Sequence, residues 1–321
     1  MSGIHALSIP TPFAVGRVNC YLIEDDPLTL VDSGPNSGSS LDTLERALAE
    51  HGHRIEDVRR LVVTHQHIDH VGLAQIVADR SGAEVCALDL LAPWLARYGD
   101  GMEDDDAFAI AVMTRHGIPP DVVQALRAVS ASFRGWGASV TVTRELTDGG
   151  VLEFADRTWR VLHRPGHSPS DTVFCDEARG ELIAGDHLIK HISSNPLISR
   201  PLDGLSDERP QALRIYLESL AKTRDMELNV VWPGHGEPIF DHAPLIDERV
   251  RLHVRRAEKL GKLIAEQPRT AYELAQALWG NVAVTQAYLT LSEVLGHTDL
   301  LINDGRVREV EEDGVVHFAP T

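Results

Sequence analysis

Residues 64–72 read Thr-His-Gln-His-Ile-Asp-His-Val-Gly, "THQHIDHVG". Three imidazoles and a carboxylate fall between His65 and His70, directly after the β-branched run "RRLVV". A strand ending at Thr64 delivers His65, and in extended chain His65 and His67 point the same way. The chain must then turn for Asp69 and His70 to face the same cavity. Two imidazoles at one cation, and a carboxylate with an imidazole at a second, is a natural division. Neither set is complete, because a zinc ion takes about four ligands and a catalytic one keeps a position for water.

The missing donors should stand alone in loops that follow strands. His167 lies in "LHRPGHSPSD" after "TWRVL", and His235 in "VVWPGHGEP" after "LNVV". Both sit in Pro-Gly-His, a sharp turn that can present an imidazole at a strand end. Asp186, in "ELIAGDHL", follows a glycine at the end of another strand and can supply a carboxylate shared by two cations.

Outward from this cluster, strands and helices alternate as in an α/β fold. "VNCYLIE" and "LTLVDSG" read as paired strands, "SLDTLERALAEHG" and "VGLAQIVADRSG" as helices stopped by glycine, and "AEVCAL" as the next strand. About 88–137 the rhythm breaks into a helical insertion whose tip, "DGMEDDD", reads as acidic and solvated. It is either a surface helical pair or a lid, with Trp94, Phe108, Met113 and Phe133 as acyl-chain walls or as packing within the insertion. Strands return with "VTVTREL", "TWRVLH", "DTVFCDE" and "ELIAGD", followed by the helix "RPQALRIYLESLAKTR". From 243 onward three helices and a hairpin around Asp313-Gly314 outline a winged helix.

Composition bounds the function. The 321 residues are 43% hydrophobic, which suits a globular chain of one large domain plus a small one. The net charge of −18 argues against nucleic acid and anionic lipid as partners. No apolar run approaches the ~18 residues of a membrane span, and "MSGIHALSIPTPF" lacks the basic and apolar regions of a secretory signal. Cys20, Cys86 and Cys175 are odd in number and widely spaced, as expected of reduced thiols in the cytoplasm. Oligomeric state leaves no mark.

The order HxHxDH, Gly-His, Gly-Asp, Gly-His-Gly resembles the ligand series of the metallo-β-lactamase superfamily over about residues 4–242, with "VDSGP" similar to its structural Asp-x-Gly turn at Asp32. The resemblance implies an αββα sandwich in 1–242, followed by a winged-helix-like domain in 243–321. It implies that His65, His67 and His167 hold one divalent cation, that Asp69, His70 and His235 hold a second, and that Asp186 bridges them. Zinc is the expected ion, and iron or manganese suits similar donors. Two such cations ~3.5–4 Å apart share a hydroxide that attacks the substrate, with Asp69 as the catalytic group orienting it.

An Asp at 186, where one β-lactamase branch has Cys, turns the resemblance toward hydroxyacylglutathione hydrolase-like or lactonase-like members. His67 stands where the diiron branch has Glu. The expected substrate is a thioester of glutathione or coenzyme A. A lactone or other small ester, a single-stranded nucleic acid, and a non-enzymatic metal-stabilised binding role are the alternatives. His191 and Asn195 are candidate substrate contacts, as are Arg255 and Arg256 on a locally basic helix. His187 is a candidate for substrate contact or for backing a metal ligand. His5, His51, His53, His116, His163, His242, His253, His297 and His317 read as structural or surface residues.

Overall fold

The computed structural model describes residues 3–202 and 208–321. Its first sheet holds β1 (Ile4–Ile9), β2 (Val18–Ile23), β3 (Thr29–Val31), β4 (Arg60–Val62), β5 (Glu84–Leu88) and β6 (Arg144–Leu146), side by side in that order. β1–β3 pair antiparallel and β3–β6 parallel. The second sheet runs β11-β10-β9-β8-β7, built from β7 (Val151–Glu153), β8 (Thr158–His163), β9 (Thr172–Asp176), β10 (Glu181–Gly185) and β11 (Val230–Pro233).

Alternation along the strands shows why these sheets stack. In β2, Tyr21 and Ile23 enter a core shared with Trp159, Phe174 and Ile183 of the second sheet. Cys20 and Leu22 enter a different core, with Leu44 and Leu48 of α1 (Gly38–Glu50). Strands apolar on both faces belong between layers. The outer face of the first sheet is covered by α1, by α3 (Ala74–Ser81), which follows the single-turn α2 (Ile68–Val71), and by α4 (Ala92–Ala96). The second sheet is covered by α7 (Ala212–Arg224) and the start of α8 (His242–Glu266), the insertion helices α5 (Tyr98–Arg115) and α6 (Pro120–Phe133) coming before them in the chain. The result is helix, sheet, sheet, helix, as expected.

The insertion and the tail differ from expectation in where they pack. After α8 come β12 (Arg269–Thr270), α9 (Ala271–Trp279), α10 (Val282–Thr285), α11 (Ala287–Asn303), β13 (Val307–Glu312) and β14 (Val315–Pro320), with sheet order β12-β14-β13. Val112, Met113 and Val123 of the insertion share one core with Leu260, Leu274, Leu295 and Phe318 of the tail, and Phe108 packs against it. Phe108 and Met113 are therefore core residues common to two segments, and Trp94 belongs to the first sheet's outer core. Phe133 is half-buried between Phe13 and Trp136. The acidic stretch lies inside α5 rather than at a tip: Asp100, Glu103 and Asp104 are solvated as expected, while Asp105 accepts from Trp94 and Arg200, and Asp106 pairs with Arg134.

The tail buries a histidine pair whose tautomers its neighbours fix. His297 Nδ1 faces the Glu293 carbonyl, which can only accept, so Nδ1 carries the proton. His297 Nε2 then accepts from His253 Nδ1 at 3.1 Å, and His253 Nε2 accepts from Ser193 Oγ at 3.4 Å. Burial pushes both imidazoles down to about 4, the neighbouring His297 adding to the effect at His253. The folded protein thus resists protons that the unfolded chain binds near its ordinary ~6.5. Stability from this pair is complete above that value and is lost as pH falls toward 4, by up to ~1.4 kcal/mol per pH unit for each histidine. Urea unfolding between pH 7 and 5 should fall less steeply for His297→Gln than for the wild type; equal slopes would remove the pair from the acid response.

Candidate metal centre

The loops after β3, β4, β8, β10 and β11 meet at one edge of the sandwich. Asp32, just past β3, adopts a left-handed backbone (φ 57°), a conformation short polar side chains tolerate. Its carboxylate holds that turn to β4: it accepts from the Thr64 amide at 2.9 Å, the Thr64 hydroxyl at 2.8 Å and His70 Nδ1 at 2.7 Å. His67, itself in extended backbone, caps the N-terminus of α2, and that single helical turn swings Asp69 and His70 inward. The second sheet is stitched on at the same edge. The Thr172 amide donates to the Thr64 carbonyl at 3.0 Å, and the Asn19 amide to the Gly234 carbonyl at 2.7 Å.

Hydrogen bonds decide which imidazole nitrogens are bare. Thr64 Oγ1 spends its proton on Asp32, so it accepts from His65 Nδ1 at 2.9 Å. His70 Nδ1 donates to Asp32, His167 Nδ1 to the Asn195 carbonyl at 2.9 Å, and His235 Nδ1 to the Arg17 carbonyl at 2.9 Å. In its neutral form each of these four rings therefore turns a proton-free Nε2 inward. His65 Nε2 and His167 Nε2 lie 3.1 and 3.0 Å from His67 Nδ1. One proton on His67 can satisfy only one of them, so three nitrogen donors converge where a cation would satisfy all three.

A second group lies alongside. His235 Nε2 is 3.4 Å from a carboxylate oxygen of Asp69 and 3.4 Å from one of Asp186. The Asp186 carboxylate also lies 3.4 Å from His70 Nε2 and 3.5 Å from His167 Nε2, so it stands between the two groups. His70 Nε2, His235 Nε2 and Asp186 Oδ1 are buried without a hydrogen-bond partner. Buried polar atoms left so cost about 1–3 kcal/mol each. A donor set of this chemistry, facing inward and unpaired, fits divalent cations.

The electrostatics agree. Burial, reinforced by His70 and His67, holds His65 well below its ordinary value, and burial with His167 pushes His67 down to about 3. Both are neutral at pH 7, as metal binding requires. Burial opposes charge on His70 and His235 as well, but the neighbouring carboxylates together outweigh it, Asp186 and Asp32 lifting His70 strongly and Asp186 and Asp69 lifting His235 to about 9. Burial also opposes charge on Asp186 and Asp69; the neighbouring imidazoles win and keep both carboxyls below the usual range. Cation binding here must release protons.

All seven donor residues named from the sequence are thus brought together. The other candidates are spread more widely. His191 is exposed at the rim, where its Nδ1 would lie 2.7 Å from a methyl group placed on Gly236, next to His235. The Asn195 side-chain amide donates to the Leu289 carbonyl of α11 at 3.0 Å, so its backbone carbonyl is the part that serves the centre. His187 faces away and bonds Thr223 Oγ1 of α7 at 2.8 Å, a core histidine. Arg255 is exposed on α8, and Arg256 pairs with Glu293 while its guanidinium lies 5.7 Å over Trp279.

The backing groups were mostly invisible beforehand. The sequence marks Asp32 only as a turn residue. The carbonyls of Arg17 and Asn195 carry no sequence signal, since every residue offers one. Ser194 Oγ donates to the Asp186 carbonyl. The segment that holds Ser194 and Asn195 is tied to α11 again where the Ile198 amide donates to Ser292 Oγ at 3.2 Å and Tyr288 donates to the Ile198 carbonyl.

Comparison with known proteins agrees with this geometry. Residues 14–235 match the model of the family described as "Metallo-beta-lactamase superfamily". The "Probable metallo-hydrolase YqjP" of Bacillus subtilis is 32% identical over 313 residues, covering 98% of this chain and 96% of that one. A solved beta-lactamase domain protein from Burkholderia ambifaria superposes with a TM-score of 0.83 at 28% identity, over 99% of this chain and 92% of that one. An "Atrochrysone carboxyl ACP thioesterase" of Paecilomyces divaricatus is 27% identical over 180 residues, 54% of this chain and 52% of its own length. With the ligand-bearing loops, the layered sheets and both sequence matches in agreement, the chain belongs to the metallo-beta-lactamase superfamily.

Proposed function

We propose that this protein is a binuclear metal-dependent hydrolase acting on a thioester whose thiol carrier is anionic, glutathione or coenzyme A. The observation that carries the hydrolase reading is the pair of inward-facing donor groups sharing Asp186. His65, His67 and His167 would hold one cation, Asp69, His70 and His235 the other, with zinc the ion best suited to these donors. Such ions would lower the pKa of a bound water toward neutrality and polarise the scissile carbonyl. The Asp69 carboxylate would orient that water and receive its proton at the oxygen turned away from His235. Asp32, Asn195 and Arg17 keep the imidazoles turned so that Nδ1 retains its proton.

Support for a thioester comes from the thioesterase-named relative and from the cavities. A largely apolar cavity of about 220 Å³ adjoins the His167 loop, lined by Leu90, Pro165, Gly166, Leu197, Leu202 and Ile215, and would suit an acyl group. On α8 and α9, Arg255, Arg256 and Lys259 with Leu252, Leu278 and Trp279 line another of about 220 Å³, suited to the charged end of the carrier. We read 1–242 as the catalytic domain and 243–321 as winged-helix-like, on the strength of the tail's element order and its β12-β14-β13 sheet. Cytoplasmic residence and a small-molecule partner fit three free buried cysteines and the acidic surface. Among the described residues no helix is long and apolar enough to cross a membrane.

The test is a matched panel on metal-quantified protein: S-lactoylglutathione, short- and long-chain acyl-coenzyme A, an acyl-homoserine lactone and single-stranded RNA. The highest kcat/KM should fall on a thioester and vanish on chelation; preference for the lactone or RNA would overturn the substrate class. Reversing Arg255 and Arg256 to Glu should raise KM for the preferred thioester several-fold at constant kcat. An unchanged KM would return that helix to a plain solvated face.

A further inference from the structure

Far from the catalytic edge, three histidines that read as surface residues gather around one carboxylate. His5 is in β1, Glu24 follows the end of β2, and His51 caps the C-terminus of α1 with His53 two residues on. His5 Nε2 lies 3.0 Å from Glu24 Oε2, and His53 Nε2 lies 3.4 Å from Glu24 Oε1. The His51 ring packs on that of His5 at 4.2 Å between centroids. Donor atoms of His5, Glu24 and His51 all fall within 4.8 Å of one another. The side chains of His5, Glu24 and His53 are 32%, 35% and 29% exposed, so the cluster is preset by packing yet open to an ion from solvent.

The place is distinct from the catalytic donors. Val18, at the start of β2, bridges His235, whereas His5 pairs with Leu22 near the other end of the strand. At about 3.3 Å per residue the two ends of β2 are roughly 16 Å apart.

The geometry points to a second, peripheral metal site at His5, Glu24 and His51, taking a zinc-class divalent transition ion, with His53 as a neighbouring donor. Two imidazoles and a carboxylate are donors of the type zinc selects, and adjacent ligand atoms around such an ion stand about 3–4 Å apart. Three chain segments would be joined: the edge strand β1, the end of β2 and the C-terminus of α1. The ion would therefore act as a staple on an open sheet edge.

The test titrates chelator-treated full-length protein with Zn²⁺, reading stoichiometry by calorimetry and elemental analysis. Wild type should bind one equivalent more than the His5→Ala/His51→Ala variant, whose hydrolytic activity should be unchanged. Because the readout is this difference, it stands whether the catalytic edge holds one ion or two. Glu24→Gln, a milder change, should weaken the extra equivalent at least tenfold. Equal stoichiometry in wild type and double variant, or an extra equivalent seen only at millimolar zinc in both, would overturn the site.

Discussion

Asp186→Ala is expected to abolish hydrolysis and metal retention together. The side chain stands within 3.4–3.5 Å of His70, His167 and His235, so its removal strips both donor groups of their shared oxygen ligand. It also leaves the strongly raised His70 without its main partner. Removing one member of a buried charged network costs about 3–5 kcal/mol of folding stability, and hydrolysis should fall with the metal content, because the cations supply the nucleophile. His67→Ala should behave similarly, because its Nδ1 is the meeting point of His65 and His167. Metal analysis beside steady-state kinetics decides the matter: normal turnover in either variant would remove that residue from the ligand set.

Gly234→Ala should do comparable damage without deleting any polar group. A methyl group there would stand 2.2 Å from Asp186 Oδ1, 2.8 Å from His70 Cε1 and 3.0 Å from the Gly185 carbonyl carbon. The backbone cannot retreat, since the Gly234 amide donates to Gly185 at 2.6 Å and its carbonyl accepts from Asn19. The Asp186 carboxylate must swing away instead, and overpacking of this kind costs about 1–3 kcal/mol. The expected result is protein that folds with a lowered melting temperature and loses its metal to a chelator that the wild type resists. Gly99→Ala is the control: a methyl there meets nothing within 4 Å, and in the first turn of α5 it should leave stability and metal affinity at wild-type levels, within ~0.5 kcal/mol. Wild-type metal affinity in Gly234→Ala would mean that the carboxylate has room the geometry denies it.

The cluster and the layered fold were legible because their chemistry demands particular residue types. Only a few residue types, His, Asp, Glu and Cys, can fill the donor positions, and the strand runs before His65, His167, Asp186 and His235 announce where each side chain emerges. Family membership followed from the same order. Orientation was less legible: the partners of His167 and His235 are backbone carbonyls, which any residue supplies. Packing partners were hidden too. Helical periodicity identifies an apolar face but not what covers it, so Phe108 and Met113 could not be assigned to a core shared with Phe318. "DGMEDDD" is solvated in part, as it reads, but the pairing of Asp105 and Asp106 was hidden because Arg200 and Arg134 are distant in sequence. "VTVTREL" looked like one strand, yet only Arg144–Leu146 pairs with β5. Two-residue β12 is too short for alternation to reveal.

The attachment of α11 has a consequence for how such a protein can diversify. Its residues anchor the segment that aims His167, and its apolar face closes the core it shares with the insertion. Two stretches on either side of the second sheet are therefore inherited as a matched pair. A lineage could not lengthen one, or exchange the other for an unrelated module, without compensating change in its counterpart. Descendants with new substrates would more readily vary the exposed rim around His191, which bears no such obligation.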